Sequence, residues 1–420
     1  MRSTSYRIRP IWSRLAFALA IIGPGIITAN VDNDAGGIST YSVAGARYGL
    51  GVLWILPLLA VALILVQEMS SRLGIVTGKG LGDLIRESLG VRVTALILGL
   101  LLVANWANTV SEFAGVAAAS GIFGVSKFLA VPLAGALVWL LVVRGNYRSV
   151  ERIFLVASAV YLAYVGSGIL ARPDWTAVAR AAVSPRLAWD SGYLVMLVTI
   201  IGTTIAPWMQ FYQQAAIVDK GLRPAELGWE RLDVVVGSLF AIVVAGFIVI
   251  ACASTLFVHG QAIETAEDAA VALRPLAGSY ASTLFAVGLL NASLFAAAIL
   301  PLSTAYVVCE AFGWEVGVSR TLRQAPTFFG IYTALIVLGA GVVLLPLQSL
   351  VRTMIASQTL NGILLPVILV VMLRLINDRR LMGTHVNGRI LNVLTWAIVA
   401  TLVILTAALV VITVFPGSSH

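Results

Sequence analysis

Apolar runs of about 20 residues recur along the whole chain, separated by short polar breaks. A helix of that length crosses the hydrocarbon core of a bilayer with its backbone groups bonded internally. Charged residues make up only 11% of the sequence, whereas a soluble domain carries about 25%. The sequence therefore predicts an all-α polytopic membrane protein. Its spans are expected at about 15–46, 50–72, 93–121, 127–144, 151–171, 191–216, 233–258, 279–312, 326–346, 349–374 and 391–415.

The basic residues predict how these spans are oriented. If the N-terminus is cytoplasmic, 20 of the 27 Lys and Arg residues fall on the cytoplasmic side. Cytoplasmic loops are enriched in Lys and Arg, so we expect the N-terminus inside and the C-terminus outside. The first apolar run lacks the short length and small-residue cleavage site of a signal peptide, so no removable signal peptide is expected. This topology also accounts for the net charge of +8. We expect the lipid bilayer as a partner, and no nucleic acid.

The first span changes from apolar to polar near its middle. Asn30, Asp32, Asn33 and Asp34 fall within five positions and are followed by Gly36-Gly37. Each carboxylate costs roughly 2.5–3.5 kcal/mol at the centre of a bilayer. Asp32 and Asp34 would lie about 200° apart on an intact helix, so a helix break at the glycine pair is expected. The stretch predicts a cation site at a broken helix; the alternative is a polar kink that only packs against its neighbours.

The sixth span carries a second interruption, Gly202-Thr203-Thr204-Ile205-Ala206-Pro207. Pro207 lacks an N–H and clashes with the preceding turn, so carbonyls near Thr203 should be left free. An ordinary proline kink is the alternative. Together, the interruptions in the first and sixth spans predict one transporter domain over residues 1–420. Its first repeat spans about 15–171, its inverted second repeat about 191–374, and an extra helix about 391–415.

Two further spans carry polar stripes. Asn105, Asn108, Thr109 and Glu112 share one face of the third span, through the spacing i, i+3, i+4 and i+7. Glu112 belongs either to an ion or proton route or to a hydrogen-bond network between helices. In the tenth span, Thr353, Ser357 and Asn361 share a stripe beside Gln358. These residues offer oxygen ligands, or hold helices together.

Several stretches resemble the Nramp family of divalent-metal transporters, and the resemblance covers most of the chain. The stretch Leu73–Lys79 after the second span is the most specific. The other matching stretches are Gly23–Gly25, Ala44–Gly49, Arg86–Glu87, Glu112–Gly115, Ser357–Gln358 and Leu365–Pro366. The resemblance implies a LeuT-like fold, with two inverted five-helix repeats, discontinuous helices 1 and 6, and an eleventh helix. It also implies a monomer in a bacterial inner membrane.

The chain departs from the family pattern at its metal site. The family motif Asp-Pro-Gly-Asn aligns with Asp34-Ala35-Gly36-Gly37, so one asparagine ligand is missing. Ala206 stands where the family has a methionine ligand. Trp208 and Gln213 stand where it has histidines, and Thr109 where it has an aspartate. The pattern resembles the Nramp-related magnesium transporter branch.

The resemblance and the residue chemistry imply an ion bound by oxygen. Thioethers suit softer metals, whereas Mg²⁺ takes oxygen ligands and keeps several waters. The expected ligands are Asp34, the carbonyls near Asp32 and Thr203, and Gln358, some of them acting through water. Asp32 is either a second carboxylate for the dication or an entrance charge. Gly37 enlarges the site, and Ala206 removes the soft ligand. The expected pathway residues are Glu112, Thr109, Asn108, Asn361 and Trp208.

We expect an alternating-access carrier that brings Mg²⁺, and also Mn²⁺, into the cytoplasm without proton coupling. It is expected to be neither an enzyme nor cofactor-dependent. The first alternative is a proton-coupled Mn²⁺/Fe²⁺ importer that uses Asp34 and Glu112. The others are a sodium-coupled amino-acid symporter of the same fold and a metal-sensing membrane protein.

Overall fold

The computed structural model describes Thr28 and residues 31–144, 158–186, 190–318, 320–346 and 349–414, with side chains up to residue 409. These residues form helices joined by short turns. The longer helices are α1 (Ala35–Tyr48), α2 (Ile55–Thr77), α3 (Leu81–Ile122), α4 (Lys127–Val143), α5 (Leu162–Leu170), α6 (Ser191–Thr204), α7 (Pro207–Lys220), α8 (Leu227–Thr255), α9 (Ala281–Phe312), α10 (Pro326–Leu344), α11 (Leu350–Asn377) and α12 (Arg389–Val414). The predicted beginnings of the first and fifth spans lie outside the described residues.

The described helices fit a membrane protein. Eight helical stretches are long and apolar enough to cross a bilayer, with α6 and α7 counted together, and α4 and α5 are shorter apolar helices. Leu58, Leu96 and Val337 are more than half exposed, as expected where side chains face lipid. The predicted all-α membrane fold is confirmed.

Several helices extend beyond the predicted apolar runs, among them α2 and α8. Helix α2 continues to Thr77 and ends at Gly78, which has a φ of +64°. Helix α8 begins at Leu227, six positions before the predicted start at residue 233. In α8 the additional turns include Glu230, whose side chain is buried instead of marking a loop. Hydropathy alone therefore placed these ends wrongly.

Helix packing brings the two interrupted spans together. Helix α3 packs against α9 and α11, and α8 packs against α1 and α2. Helices α6 and α11 meet at Gly202 and Gly362, where a Cβ on either glycine would collide with the backbone of the other helix. Small residues allow such close approach in membrane helices. This contact holds the end of α6 beside Gln358.

Candidate metal site

The first helix break falls at Asn33–Asp34. Val31 and Asp32 are helical, Asn33 and Asp34 are not, and α1 begins at Ala35. The Asp34 carboxylate caps α1 by accepting a 2.6 Å hydrogen bond from the Gly37 backbone N–H. The glycine pair thus lies in the first turn of α1, and the expectation of a break at the glycines was wrong by two or three positions. A capping carboxylate ends one helix and starts the next more effectively than glycine does.

The second break falls between α6 and α7, as predicted. Helix α6 ends at Thr204, and Ala206 has extended backbone angles (φ −71°, ψ 141°) before α7 begins at Pro207. Pro207 stands four residues after Thr203 and has no N–H, so the Thr203 carbonyl cannot receive its helical hydrogen bond. This break therefore contributes backbone oxygen without any charged side chain.

Oxygens from both breaks converge at Gly37. A Cβ built on Gly37 would lie 2.5 Å from the Asp32 carbonyl oxygen, 3.3 Å from Thr203 Oγ1 and 3.4 Å from Asp34 Oδ1. Thr203 Oγ1 is buried without a hydrogen-bond partner among the described residues. A side chain at position 37 would occupy the space between these oxygens. The glycine therefore allows the Asp32 carbonyl, Thr203 and Asp34 to approach one another closely at the start of α1.

Glu112 of α3 and Gln358 of α11 complete the surroundings of Asp34. Glu112 Oε2 accepts a 3.3 Å hydrogen bond from the Ala35 N–H at the start of α1. The Glu112 carboxyl and the Gln358 amide both lie within reach of the Asp34 carboxylate. Gln358 also packs on Gly36, where a Cβ would collide with its amide nitrogen. The site thus draws on α1, α3, α6 and α11.

An amide network fixes the orientation of Gln358. Asn108 and Asn361 form two reciprocal hydrogen bonds of 3.0 Å, and Asn361 Nδ2 also donates to Gln358 Oε1 at 2.9 Å. All three side chains are buried. Because its oxygen faces Asn361, Gln358 presents its amide nitrogen towards Asp34 and Gly36. The Gln358 amide nitrogen is buried there and has no hydrogen-bond partner among the described residues.

Three predicted residues stand apart from this cluster. The Thr109 hydroxyl donates to the Asn105 carbonyl at 2.8 Å, and its methyl group packs near Gly339 of α10. The Trp208 ring packs against Tyr212, with ring centroids 6.2 Å apart. Ala206 is buried at the break and brings no polar side-chain atom. Among the described residues, no group of three or more His, Cys, Asp and Glu could hold a metal. A cation here would therefore depend on neutral oxygens as well.

A cavity of about 710 Å³ lies between α1, α6 and α11 and includes Val43, Arg47, Met196, Arg352 and Ile355. The predicted orientation places this cavity on the outer face. Ile355 stands one helical turn before Gln358, so the cavity ends close to the candidate site. Between them, Ser39 of α1 donates a 3.4 Å hydrogen bond to the Met354 sulfur of α11. A thin layer of side chains thus separates the site from the cavity.

The opposite side is closed by a polar cluster that the sequence analysis missed. Thr28 donates to Gln213 Oε1 at 3.2 Å, and Gln213 Nε2 donates to Ser71 Oγ at 2.6 Å. Ser71 in turn donates to Glu230 Oε1 at 3.1 Å. The prediction assigned Glu230 to a loop because α8 was expected to begin later. The spacing of Glu230 and Asp233 (i, i+3) was the available signal for a polar helix face.

Two interrupted helices that face each other inside a helical membrane bundle define a transporter of the LeuT-like fold. The model of the Nramp family, natural resistance-associated macrophage protein-like, matches residues 25–412. This chain belongs to the Nramp family.

Individual relatives agree with this assignment. The Divalent metal cation transporter MntH of Ralstonia nicotianae is 31% identical over 94% of this chain and 90% of its own length. The protein of the same name from Bacillus subtilis is 26% identical over 94% of this chain and 92% of its own. A crystal structure of the Eremococcus coleocola manganese transporter superposes with a TM-score of 0.74 at 25% identity, and covers 98% of this chain and 91% of its own. Mhp1, a nucleobase-cation-symport-1 family transporter, shares the fold with a TM-score of 0.58 at 13% identity, over 94% of each chain.

Proposed function

We propose that this protein is an alternating-access carrier of Mg²⁺, and also of Mn²⁺, that works without proton coupling. The observation that carries the proposal is the convergence of the Asp32 carbonyl, Thr203 Oγ1 and Asp34 Oδ1 around Gly37. Every one of these donors is an oxygen. Ala206, at the other break, adds no sulfur or nitrogen.

The ligand chemistry favours a hard cation. Mg²⁺ takes oxygen ligands, keeps several of its waters and resists complete dehydration. Mn²⁺ also accepts oxygen sites, whereas thioethers select softer metals. The curated relatives are named divalent metal cation transporters, and the solved one a manganese transporter. From these names we infer that the transported ion is a divalent cation. We infer the preference for Mg²⁺ from Gly37 and Ala206.

The residues take different roles in this proposal. Asp34 supplies the charged ligand, and the carbonyls at Asp32 and Thr203 supply neutral ones. The Gln358 amide nitrogen, which has no hydrogen-bond partner among the described residues, lies beside this charged ligand. Waters on the ion fill the space that Gly37 leaves open. Asp32 adds a second negative charge near the path.

The membrane potential supplies enough energy without a second ion. A dication that moves inward gains about 4.6 kcal/mol per 100 mV, twice the value for a single charge, which corresponds to roughly a thousandfold accumulation. Thr109 and Gln213 replace the titratable residues that the family pattern places there. The three histidines, His259, His385 and His420, fall outside the spans that the sequence predicts.

Proton-coupled Mn²⁺ import is the second candidate, and one observation favours it. The Glu112 carboxyl lies beside Asp34, and two adjacent carboxyl groups can share a proton that metal binding would release. Coupling in this way requires that the proton released from Asp34 stays on the protein, on Glu112, so that it enters together with the metal.

We further propose that the protein acts as a monomer in a bacterial inner membrane, with its N-terminus in the cytoplasm. The repeat boundaries at about 15–171 and 191–374 belong to the same proposal. The distribution of Lys and Arg supports this orientation.

Purified protein in liposomes, with one dye for internal Mg²⁺ and one for internal pH, tests the function. We expect Mg²⁺ uptake that increases with an inside-negative potential and does not acidify the interior. Uptake of Mn²⁺ but not Mg²⁺, together with acidification, would instead establish the second candidate.

The variant Ala206→Met tests the origin of the selectivity. A thioether at this break should favour Mn²⁺ over Mg²⁺ by about tenfold in competition, because it replaces space for water with a softer ligand. Ala206→Leu is the matched control, since it adds similar volume without sulfur. Equal effects of Met and Leu would mean that space, not ligand type, sets the preference.

A further inference from the structure

We propose that Glu230, together with Ser71, Gln213 and Thr28, forms a second divalent-cation site, which receives the ion on its way from Asp34 to the cytoplasm. The proposal rests on the proposed function, because it concerns the release path of the same ion. We call these four residues the Glu230 cluster. Their side chains offer a carboxylate, an amide carbonyl and two hydroxyls, all of them oxygen ligands suited to Mg²⁺ and Mn²⁺.

The cluster lies beside the path rather than at the protein surface. Thr28 stands four positions before Asp32 in the first span, and Gln213 stands seven positions after Ala206 in α7. Seven helical residues correspond to about 10 Å. The cluster is therefore on the side of the metal site opposite the 710 Å³ cavity. In this proposal, an ion that enters through that cavity leaves past the Glu230 cluster.

Glu230 is fully buried, yet only one of its two carboxylate oxygens accepts hydrogen bonds. Its side chain is 0% exposed, as are those of Ser71 and Gln213. Glu230 Oε1 accepts from Ser71 at 3.1 Å and from Gln213 at 3.3 Å. Glu230 Oε2 has no hydrogen-bond partner among the residues that the structure describes. A buried carboxylate oxygen without a partner is costly and common at ion pathways.

The electrostatic surroundings allow a cation to bind there. Asp233, one turn further along α8, adds a negative charge near Glu230, and Lys220 at the end of α7 adds a positive one. The nearby Arg72 and Arg231 are both engaged by Glu68, at 3.1 and 2.9 Å. Glu68 thus offsets one of the two positive charges of this pair, and Glu230 and Asp233 add two negative charges on the same side.

The hydrogen bonds of the cluster link it to opening of the path. Thr28 and Gln213 belong to the two interrupted spans, and their 3.2 Å hydrogen bond closes the path between them. Release towards the cytoplasm must separate these two side chains. Their separation frees the Gln213 carbonyl and the Thr28 hydroxyl at the moment when the ion leaves Asp34. When the path is open, the Glu230 cluster therefore binds the cation. When the path is closed, its side chains bond to one another and block the path.

The test counts bound Mn²⁺ by electron paramagnetic resonance on the purified full-length protein. The variant Asp34→Asn weakens the main site and leaves the second site to be measured. We expect residual Mn²⁺ binding in Asp34→Asn, and at least about tenfold weaker residual binding in Asp34→Asn/Glu230→Gln. Excess Mg²⁺ should displace the residual Mn²⁺.

Glu310→Gln in the same Asp34→Asn background is the matched control. Glu310 is another buried carboxylate, near the end of α9 and beside Gly80. This variant should leave residual Mn²⁺ binding unchanged. Gln at position 230 can still accept from Ser71, and equal melting temperatures of the variants would exclude a simple loss of folding. Glu230→Asp, which keeps the charge, should retain more of the binding than Glu230→Gln.

The outcomes separate this proposal from the proposed function. Metal binding by the wild type and none by Asp34→Asn would overturn the second site and leave the main site intact. Equal residual binding with and without Glu230→Gln would also overturn it. A wild type that binds neither Mg²⁺ nor Mn²⁺ would overturn both.

Discussion

The two helix breaks that meet at the candidate metal site are built from different chemistry. The first is made by a charged side chain, since Asp34 caps α1 through the Gly37 N–H at 2.6 Å. The second has no side-chain cap at Ala206 and depends on Pro207, which lacks an N–H. The first break therefore supplies charge, and the second supplies neutral backbone oxygen.

This difference separates two properties of a cation site. The charge of the first break determines how strongly any dication is attracted, because Coulomb energy depends on charge and distance. The second break determines which ligand atoms the ion meets. Mutations at Asp34 should therefore weaken the binding of every dication at this site, whereas mutations near Pro207 should change its affinity less and its selectivity more.

Asp34→Asn should have the largest effect. Asparagine caps helices as well as aspartate, so α1 should keep its start while the site loses its charged ligand. We expect the affinity for Mg²⁺ to fall by more than about 100-fold, measured by isothermal titration calorimetry, with little change in melting temperature. Asp32→Asn is the comparison variant and should cost less, because Asp32 is proposed to act through its carbonyl. Transport at the wild-type rate by Asp34→Asn would remove Asp34 from the site.

Pro207→Ala should have the next largest effect. Alanine provides an N–H that can bond the Thr203 carbonyl, so the second break partly closes. We expect about tenfold weaker Mg²⁺ binding, together with a higher melting temperature from the added helical hydrogen bond. Pro132→Ala removes a proline inside α4, away from the site, and should leave binding unchanged. If Pro207→Ala binds Mg²⁺ like the wild type, the Thr203 carbonyl is not a ligand.

Asn361→Leu tests the support behind the first break. The change leaves Gln358 without its 2.9 Å donor and Asn108 without its amide partner. An unpaired buried amide costs about 1–3 kcal/mol, so the melting temperature should fall, and Mg²⁺ affinity should fall about threefold to tenfold. The double variant Asn108→Leu/Asn361→Leu should recover stability but not affinity. Recovery of both would mean that Gln358 needs no anchor.

The two breaks also differed in how well they could be predicted. Pro207 located the second break, because its effect on the backbone is local and does not depend on neighbours. The first was predicted in the right stretch but placed at Gly36-Gly37. In this stretch the Asp34 cap and the glycine pair favour different positions for the start of α1, and the cap determines where the helix begins. Gly36 proves to matter for the close approach of Gln358 instead.

Tertiary packing explains what sequence reasoning missed. Glu230 was assigned to a loop because a carboxylate lowers hydropathy, yet Ser71 and Gln213 accommodate it inside the membrane bundle. The orientation of the Gln358 amide could not be predicted from the sequence either, because it depends on Asn361 and on Asn108 from another helix. The all-helical membrane fold could be predicted from composition and from the length of the apolar runs alone, because neither depends on how the helices pack.

Tyr41→Phe should have the smallest effect, and it asks whether the two breaks are coupled. The Tyr41 hydroxyl of α1 lies 2.8 Å from Thr204 Oγ1 at the end of α6, and both side chains are buried. Thr204 still donates to the Ile200 carbonyl at 2.7 Å, so it keeps one partner. We expect a loss of about 0.5–1.5 kcal/mol in the free energy of unfolding and nearly unchanged Mg²⁺ affinity. Thr204→Val removes the same hydrogen bond from the other helix, and the double variant should cost no more than the larger single one. A strong loss of Mg²⁺ affinity in Tyr41→Phe would mean that the breaks bind the ion as one coupled unit, and that charge and ligand type are not set separately.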